Sequence, residues 1–303
     1  MTILDVTAVT AGEETNRNQI KYERKRWPYI FSLPLMWVLS LWVRIKKKIL
    51  GRNPRINTFW FDGLSVFCRE IKEGAASWRA LDLIYNHYFG ANGKVSDFWI
   101  GMINAQAVRN RLRLARYLLG TELRRLAQGG EVRLLSIACG SAQAVIETMA
   151  DLKTEGIFVK AILLDLDPSA IDYSKQLAEK MGVRDQISFL AKGVNALART
   201  VGEFDPHVVE MIGFLEYRSD EKAVRLVRQI YRLLVPGGIF LTCSICDNPE
   251  RPFLHWVVDW PMIYRSPEEL LRVVTNGGFE PHACRVVLEP HKIHAVAVCR
   301  KLE

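Results

Sequence analysis

Residues 132–147, VRLLSIACGSAQAVIE, decide the fold of this chain. Residues 134–138 are all apolar or small, and such an uninterrupted run is typical of a buried parallel strand. The small residues 139–142, CGSA, end the run, and a helical pattern begins after them. Glycine, serine and alanine let backbone N–H groups come close to a ligand, and the following helix N-terminus offers unpaired donors and a positive dipole end. The stretch therefore predicts a strand, a tight turn and a helix, with a polar ligand at the turn.

The same alternation of strands and helices continues along the chain. Strands are predicted at 159–167, 187–192, 207–213 and 238–245, with helices between them. Two further strands, 284–289 and 293–300, are joined only by Pro290, His291 and Lys292, and so short a connection permits only an antiparallel hairpin. We therefore predict an α/β fold for residues 131–303: a doubly wound, seven-stranded, mostly parallel sheet with an antiparallel C-terminal hairpin.

Several motifs in this half of the chain resemble those of the class I S-adenosylmethionine (SAM)-dependent methyltransferases. The string SIACGSA at 136–142 aligns with that family's D-x-G-x-G-x-G loop: Ser136 replaces the acid, Ala138 and Ala142 replace the outer glycines, and Gly140 is kept. The string LVPGG at 234–238 is similar to the family's Leu-x-Pro-Gly-Gly turn, and the terminal hairpin is the family's order of strands. The resemblance covers about residues 105–300, and it implies a methyltransferase that uses SAM as its cofactor.

The end of the second strand carries the acids expected to contact a nucleoside. A carboxylate placed there can bind both ribose hydroxyls. By the resemblance Asp165 is the ribose ligand and Asp167 caps the following helix; the alternative is that both cap that helix. Asn195 stands where the family often has an acid that accepts from the adenine amino group. The predicted cofactor-binding residues are Ser136, Ala138, Cys139, Gly140, Ser141, Asp165, Leu166, Asn195, Met211 and Gly213.

The acceptor side is expected beyond the C-terminal ends of the later strands, where ligands of such sheets bind. Glu216 and Tyr217 are candidates for accepting a proton or orienting the acceptor, with His255 and Tyr264 behind them. Methyl transfer is an in-line displacement, so it depends mainly on positioning and needs a base only where the acceptor must lose a proton. An ordinary polar loop residue remains the alternative for each of the four.

The N-terminal part of the chain carries its positive charge. Residues 1–130 contain 21 Lys and Arg against 10 Asp and Glu, within a net charge of +8 for the 303 residues. We predict a flexible tail at 1–20, a basic and aromatic apolar segment at 21–50, and a helical substrate-cap region at 51–130. The uncharged run 27–43 is short for a membrane span and contains two prolines, so it is expected to lie at a membrane surface, or to be buried against the enzyme as a helix or lid.

These observations predict a SAM-dependent methyltransferase whose acceptor is a small apolar metabolite or a lipid. The alternatives are a catalytically silent scaffold at a membrane surface and aminopropyl transfer on the same fold. The arginines of residues 109–125, Arg111 among them, are expected to form a solvated helix face. Aromatic residues do not alternate with them, so nucleic acid is not an expected partner. Cys243 and Cys246 stand alone as a close pair, so no metal site is predicted. A cytoplasmic location is expected, with peripheral membrane contact left open.

Overall fold

The computed structural model describes residues 20–24, 31–51 and 54–303. Most of the predicted tail and residues 27–30 of the apolar run lie outside these ranges. The described residues contain a seven-stranded sheet in the order β3-β2-β1-β4-β5-β7-β6. Its strands are β1 Val132–Ile137, β2 Val159–Asp165, β3 Ile187–Ala191, β4 Val208–Met211, β5 Ile239–Ile245, β6 Cys284–Leu288 and β7 His294–Arg300.

Strands β1 to β5 are parallel to one another, and β7 pairs antiparallel with both β5 and β6. This confirms the predicted mostly parallel sheet with an antiparallel C-terminal hairpin. Some predicted strands were too long: β2 ends at Asp165 because Asp167 starts the next helix, and β4 spans only Val208–Met211. The polar side chains at these ends therefore lie in loops at the C-terminal edge of the sheet.

Helices cover both faces of the sheet. Successive strand residues point to opposite faces, so Leu134 packs into one apolar cluster and Leu135 into the other. The first face is covered by α5 Ile103–Ala127, α6 Gln143–Thr154 and α7 Pro168–Lys180. The second is covered by α8 Leu197–Val201, α9 Asp220–Leu233 and α11 Pro267–Asn276.

The N-terminal helices form a third apolar cluster beside the sheet. These helices are α1 Leu33–Leu50, α2 Val66–Glu73, α3 Trp78–Tyr85 and α4 Gly93–Ile100, with a π-helical turn at Phe59–Gly63. They pack with the short helix α10, Arg251–Trp256, and with the segment that follows it. No helix in the described ranges has the length and apolar character needed to cross a membrane.

Candidate functional site

The loop after β1 has three left-handed residues at alternate positions. Ala138, Gly140 and Ala142 have φ angles of 51°, 55° and 51°. These three positions align with the glycines of the D-x-G-x-G-x-G loop. Glycine suits them because it adopts left-handed φ angles without steric cost. A Cβ on Gly140 would lie 3.2 Å from the Cβ of Trp78, so the N-terminal helix α3 approaches the loop closely.

A first cavity of about 470 Å³ lies over this loop. It is bounded by the ends of β1, β2 and β4, by residues 192–195, and by α3 through Trp78, Leu81 and Tyr85. The structure thus brings together segments that lie up to 142 residues apart in the sequence, from Ala76 to Arg218. The predicted cofactor residues that line this cavity are Ala138, Cys139, Gly140, Ser141, Asp165, Leu166, Asn195 and Gly213.

Two of the predicted cofactor residues do not line the first cavity. Ser136 is fully buried in β1, and its hydroxyl donates a hydrogen bond of 2.5 Å to the Glu210 carboxylate. Met211 is fully buried in the core cluster on the second face of the sheet, and its carbonyl accepts from the Thr242 hydroxyl at 2.8 Å. Ser136 therefore lies behind the Glu210 carboxylate. Met211 faces away from the cavity, because side chains of a strand alternate between its two faces.

The two acids at the end of β2 have different local roles. Asp165 accepts the backbone N–H of Gly140 at 2.8 Å and that of Asp167 at 2.9 Å, so it joins the loop after β1 to the end of β2. Asp167 caps α7 by accepting the N–H of Ser169 at 2.8 Å, which confirms the predicted cap. Its second oxygen accepts from the Trp78 indole at 3.1 Å. The alternative in which both acids cap α7 is wrong, since the Asp165 carboxylate is bonded to the loop and to Asp167 itself.

Glu210 is a site residue that the sequence analysis missed. It lines the first cavity at the end of β4 and is directly opposite Ser136 in the β1–β4 register. Burial raises the pKa of the Glu210 carboxyl to about 7, although the Ser136 hydroxyl and the charge of Arg111 lower it. The sequence feature that could have identified Glu210 is its place inside the apolar run HVVEMIG, because burying an unpaired charge is costly.

A second, apolar cavity of about 80 Å³ adjoins the first. Leu81, Gly213 and Tyr217 line both cavities. Its other walls come mainly from the N-terminal helices, from α10 and from the residues that follow α10. In these walls the ring of Trp99 stacks on that of Phe253, with centroids 5.0 Å apart. This arrangement gives the N-terminal helices a direct part in the site.

The predicted catalytic residues separate into two pairs. Glu216 and Tyr217 line the second cavity, and the Tyr217 hydroxyl accepts from the Trp260 indole at 2.7 Å. Burial raises the pKa of both side chains. His255 and Tyr264 line neither of the two cavities: His255 packs against the ring of Trp256, and Tyr264 lies under the Arg251 guanidinium.

Two further residues of the second cavity escaped the sequence analysis. Arg111 was grouped with the solvated arginines of its helix, yet only 3% of it is exposed, and it donates to the Tyr85 hydroxyl at 2.8 Å and to Glu216 at 3.5 Å. His294 begins β7 and is 2% exposed. The only sequence signal for Arg111 was its place among the apolar residues of α5 rather than opposite them.

The sheet order, the left-handed loop after β1 and the acid at the end of β2 define the class I SAM-dependent methyltransferase fold. Residues 134–238 match the family model described as a methyltransferase domain. Fold and matched domain together support a class I SAM-dependent methyltransferase, a family whose cofactor is SAM.

Curated relatives match part of the chain at low identity. The ubiquinone/menaquinone biosynthesis C-methyltransferase UbiE of Bartonella tribocorum is 26% identical over 146 residues, which are 48% of this chain and 53% of that protein. The demethylmenaquinone methyltransferase of Leptospira interrogans is 21% identical over 150 residues, which are 49% of this chain and 56% of that protein. The chain thus spans about half the length of these relatives.

Solved structures share the fold over more of the chain. A possible exported protein from Bordetella parapertussis aligns with a TM-score of 0.64 at 15% identity, covering 78% of this chain and 86% of that one. An O-methyltransferase family protein from Burkholderia thailandensis aligns with a TM-score of 0.51 at 15% identity, covering 93% of this chain and 75% of that one. At these identities the likeness concerns the fold alone.

Proposed function

We propose that this chain transfers a methyl group from SAM to a small apolar acceptor, a ring compound or lipid, whose reacting end occupies the second cavity. The observation that carries the proposal is the shared wall of the two cavities, formed by Leu81, Gly213 and Tyr217. A donor in one cavity and an acceptor in the other would meet at this wall, which is the close, aligned arrangement that an in-line displacement requires.

The residues of the first cavity fit the cofactor. The cavity volume of about 470 Å³ lies in the range of cofactor sites. Asp165 has a second acceptor position on each oxygen for the ribose hydroxyls, and Asn195 remains the candidate for the adenine edge. We assign to Glu210 the amino group of the methionine part, since a buried carboxylate is stabilised by a cation beside it. The bound cofactor supplies the methyl group on a positively charged sulfur.

The second cavity supports an apolar acceptor. Its lining is dominated by apolar and aromatic side chains, including Phe61, Trp99, Phe253 and Trp260. Such walls bind hydrocarbon and ring surfaces and exclude water from the reacting atoms. The printed names of the Bartonella and Leptospira relatives refer to quinone biosynthesis, and a ring compound of that general kind suits these walls. We therefore propose a ring-containing acceptor before an open-chain lipid.

We further propose that helix α1 rests on an anionic lipid surface. One face of α1 packs on the enzyme through Met36, Leu39 and Val43, and Lys47 pairs with Asp259 at 2.6 Å. The opposite face leaves apolar residues exposed at helical spacing, with exposed basic residues among them. The exposed apolar residues of this stripe are Leu35, Val38, Trp42, Ile45 and Ile49, and the basic residues are Arg44, Lys46 and Lys48. In this proposal one face of α1 is buried against the enzyme and the opposite face contacts the membrane surface.

Calorimetry with SAM and with decarboxylated SAM tests the cofactor assignment. We expect binding of SAM near the micromolar range and weaker binding of decarboxylated SAM. No heat with either ligand would favour the silent-scaffold alternative, and a preference for decarboxylated SAM would favour aminopropyl transfer.

Mass spectrometry of a lipid and metabolite extract incubated with SAM and the protein tests the acceptor. We expect SAM-dependent gains of one methyl group among apolar ring compounds or lipids. Gains confined to small, highly charged metabolites would contradict the proposed acceptor class.

A further inference from the structure

Three residues that line the second cavity have buried polar atoms without a hydrogen-bond partner in the described part of the chain. Both ring nitrogens of His294, the Nε of Arg111 and the Oε2 of Glu216 make no hydrogen bond to any residue that the structure describes. Each of these residues is no more than 3% exposed. A buried polar atom without a partner costs on the order of 1–3 kcal/mol. A ligand that supplies the missing partners would therefore be bound selectively.

Arg111 lies beside the wall that the two cavities share. The guanidinium of Arg111 is 3.5 to 3.8 Å from the position that a Cβ on Gly213 would occupy, and Gly213 lines both cavities. Arg111 also contacts Glu216 at 3.5 Å and Tyr85, a residue of the first cavity, at 2.8 Å. Burial lowers the pKa of the His294 imidazole well below its usual value, and the positive charge of Arg111 lowers it further. Arg111 and Glu216 thus lie where the apolar cavity meets the first cavity, close to where the methyl donor would lie, and His294 lines the same apolar cavity.

The chemistry of these three polar side chains selects among ligand groups. A neutral imidazole has one donor and one acceptor nitrogen, Arg111 Nε is a donor, and a carboxyl oxygen is an acceptor. A hydroxyl can donate and accept at once, whereas a carbonyl only accepts and a hydrocarbon does neither. The opposite formal charges of Arg111 and Glu216 at their 3.5 Å contact favour a neutral group over an ion.

We propose that the polar side chains of His294, Arg111 and Glu216 bind a hydroxyl group carried on the ring of the acceptor. The inference rests on the proposed function and adds to it that the acceptor is a hydroxylated ring, of the phenol type. The apolar part of the ring lies against Trp99, Phe253 and Trp260, and the hydroxyl points to His294. His294 is then a specificity residue, because it distinguishes a hydroxylated ring from its hydrocarbon analogue.

Calorimetry with two probes of similar shape tests the proposal. The full chain, saturated with S-adenosylhomocysteine, is titrated with 4-ethylphenol and with 4-ethyltoluene. We expect the phenol to bind at least tenfold more tightly. In His294→Phe the phenol affinity should fall until the two probes bind within about threefold, and in His294→Gln part of the preference should return, because the amide can still donate and accept.

His282→Gln is the matched control, since His282 is exposed and lies in the turn before β6. It should keep the wild-type preference. Thermal unfolding of each variant shows whether it is folded. If His294→Phe does not fold, the His294→Gln variant still tests the proposal. Imidazole ¹⁵N spectra of the wild type provide a second observation: the His294 signals should move with 4-ethylphenol and stay with 4-ethyltoluene.

Equal binding of the two probes, no binding of either to the cofactor-saturated chain, or a preference that survives in both His294 variants would overturn the proposal. Titration of S-adenosylhomocysteine in the same samples separates this failure from failure of the proposed function. If the wild type shows no phenol preference but still binds S-adenosylhomocysteine, only the hydroxyl site is contradicted. If the wild type does not bind S-adenosylhomocysteine, the methyltransferase function itself is contradicted.

Discussion

Ser136 and Glu210 lie opposite each other on the adjacent strands β1 and β4, and the Ser136 hydroxyl donates a 2.5 Å hydrogen bond to the Glu210 carboxylate. Ser136 occupies the position of the acid in the D-x-G-x-G-x-G loop of the methyltransferase family. The carboxylate at this edge of the sheet therefore comes from the neighbouring strand, and it lines the cavity while Ser136 holds it from behind. A carboxylate is thus present at this edge of the sheet although the loop after β1 lacks the usual acid.

Glu210→Gln is expected to weaken SAM binding by a factor of about 10 to 100, because a hydrogen bond to a charged group contributes about 1.5–3 kcal/mol.

Wild-type affinity for SAM should increase from pH 6 to pH 8, because the Glu210 carboxyl, whose pKa is about 7, must ionise to receive the amino group. Nearby ionisable groups have pKa values raised by burial or by charged neighbours and so stay in one form over this range; they are Arg111, Tyr85, Cys139 and Cys243. Calorimetry at several pH values measures both effects, and a pH dependence that is the same in Glu210→Gln and wild type would contradict the assignment.

The same carboxyl is expected to make stability depend on pH in the cofactor-free protein. Its pKa is about 7 when folded and near 4.5 when unfolded, so the folded state holds the proton more tightly. The stabilisation is present below about pH 4.5 and is lost as the pH rises to about 7, amounting to on the order of 3 kcal/mol. Glu210→Gln should remove this contribution. Thermal unfolding from pH 5 to pH 8 should show the variant gaining relative to wild type as the pH rises, and a constant difference would argue against a buried protonated carboxyl.

Asp165 and Asp167 are expected to give different phenotypes although they are two residues apart. Asp165→Ala should weaken SAM binding by about 1–3 kcal/mol, because the ribose hydroxyls and the Gly140 N–H lose their acceptor. Asp167→Ala should lower the free energy of unfolding by about 1 kcal/mol, as loss of a helix cap does, and leave affinity within about threefold. Titration with SAM and denaturant unfolding of both variants make the comparison. Exchanged phenotypes would show that Asp167, rather than Asp165, is the ribose ligand.

Glycine at position 138 or 142 is expected to stabilise the protein. Both alanines have φ near 51°, a left-handed conformation that costs a non-glycine residue about 1–2 kcal/mol. Glycine's greater freedom in the unfolded chain offsets part of this, so Ala138→Gly and Ala142→Gly should each add about 0.5–1 kcal/mol. Ala144→Gly, inside α6, is the matched control and should destabilise by a similar amount. Denaturant unfolding measures all three, and destabilisation by the two loop variants equal to that of the control would be inconsistent with strain in the loop.

Charges placed on the exposed face of α1 are expected to abolish membrane contact. Val38→Glu combined with Ile45→Glu removes two of the exposed apolar residues and opposes an anionic surface, with little effect on folding because both side chains face solvent. The wild type should float with vesicles containing phosphatidylglycerol at low salt, and the double variant should not. Phe158→Glu, an exposed apolar residue outside α1, should float like the wild type. Equal, negligible flotation of all three proteins would remove the proposed surface.

Local sequence determined the framework of this protein. The apolar runs, the CGSA turn, the Pro-Gly-Gly turn and the short connection before β7 act over a few neighbouring residues, and the sheet follows their predictions closely. Asp167 as a helix cap was predictable for the same reason, since a cap bonds only to the next residues. These features depend on backbone preferences and on burial periodicity, both of which a short stretch of sequence carries.

Only the tertiary structure decided which side chains share the site. Glu210 joins Ser136 across 74 residues, and Arg111 joins Glu216 across 105 residues. The pattern of α5 assigned Arg111 to solvent, but the loop after β4 packs over it and buries its charge beside the second cavity. Met211 shows the converse, because one step along β4 turns its side chain to the core while Glu210 lines the cavity. Contacts between distant segments depend on how the helices pack on the sheet, and no short-range pattern specifies that packing.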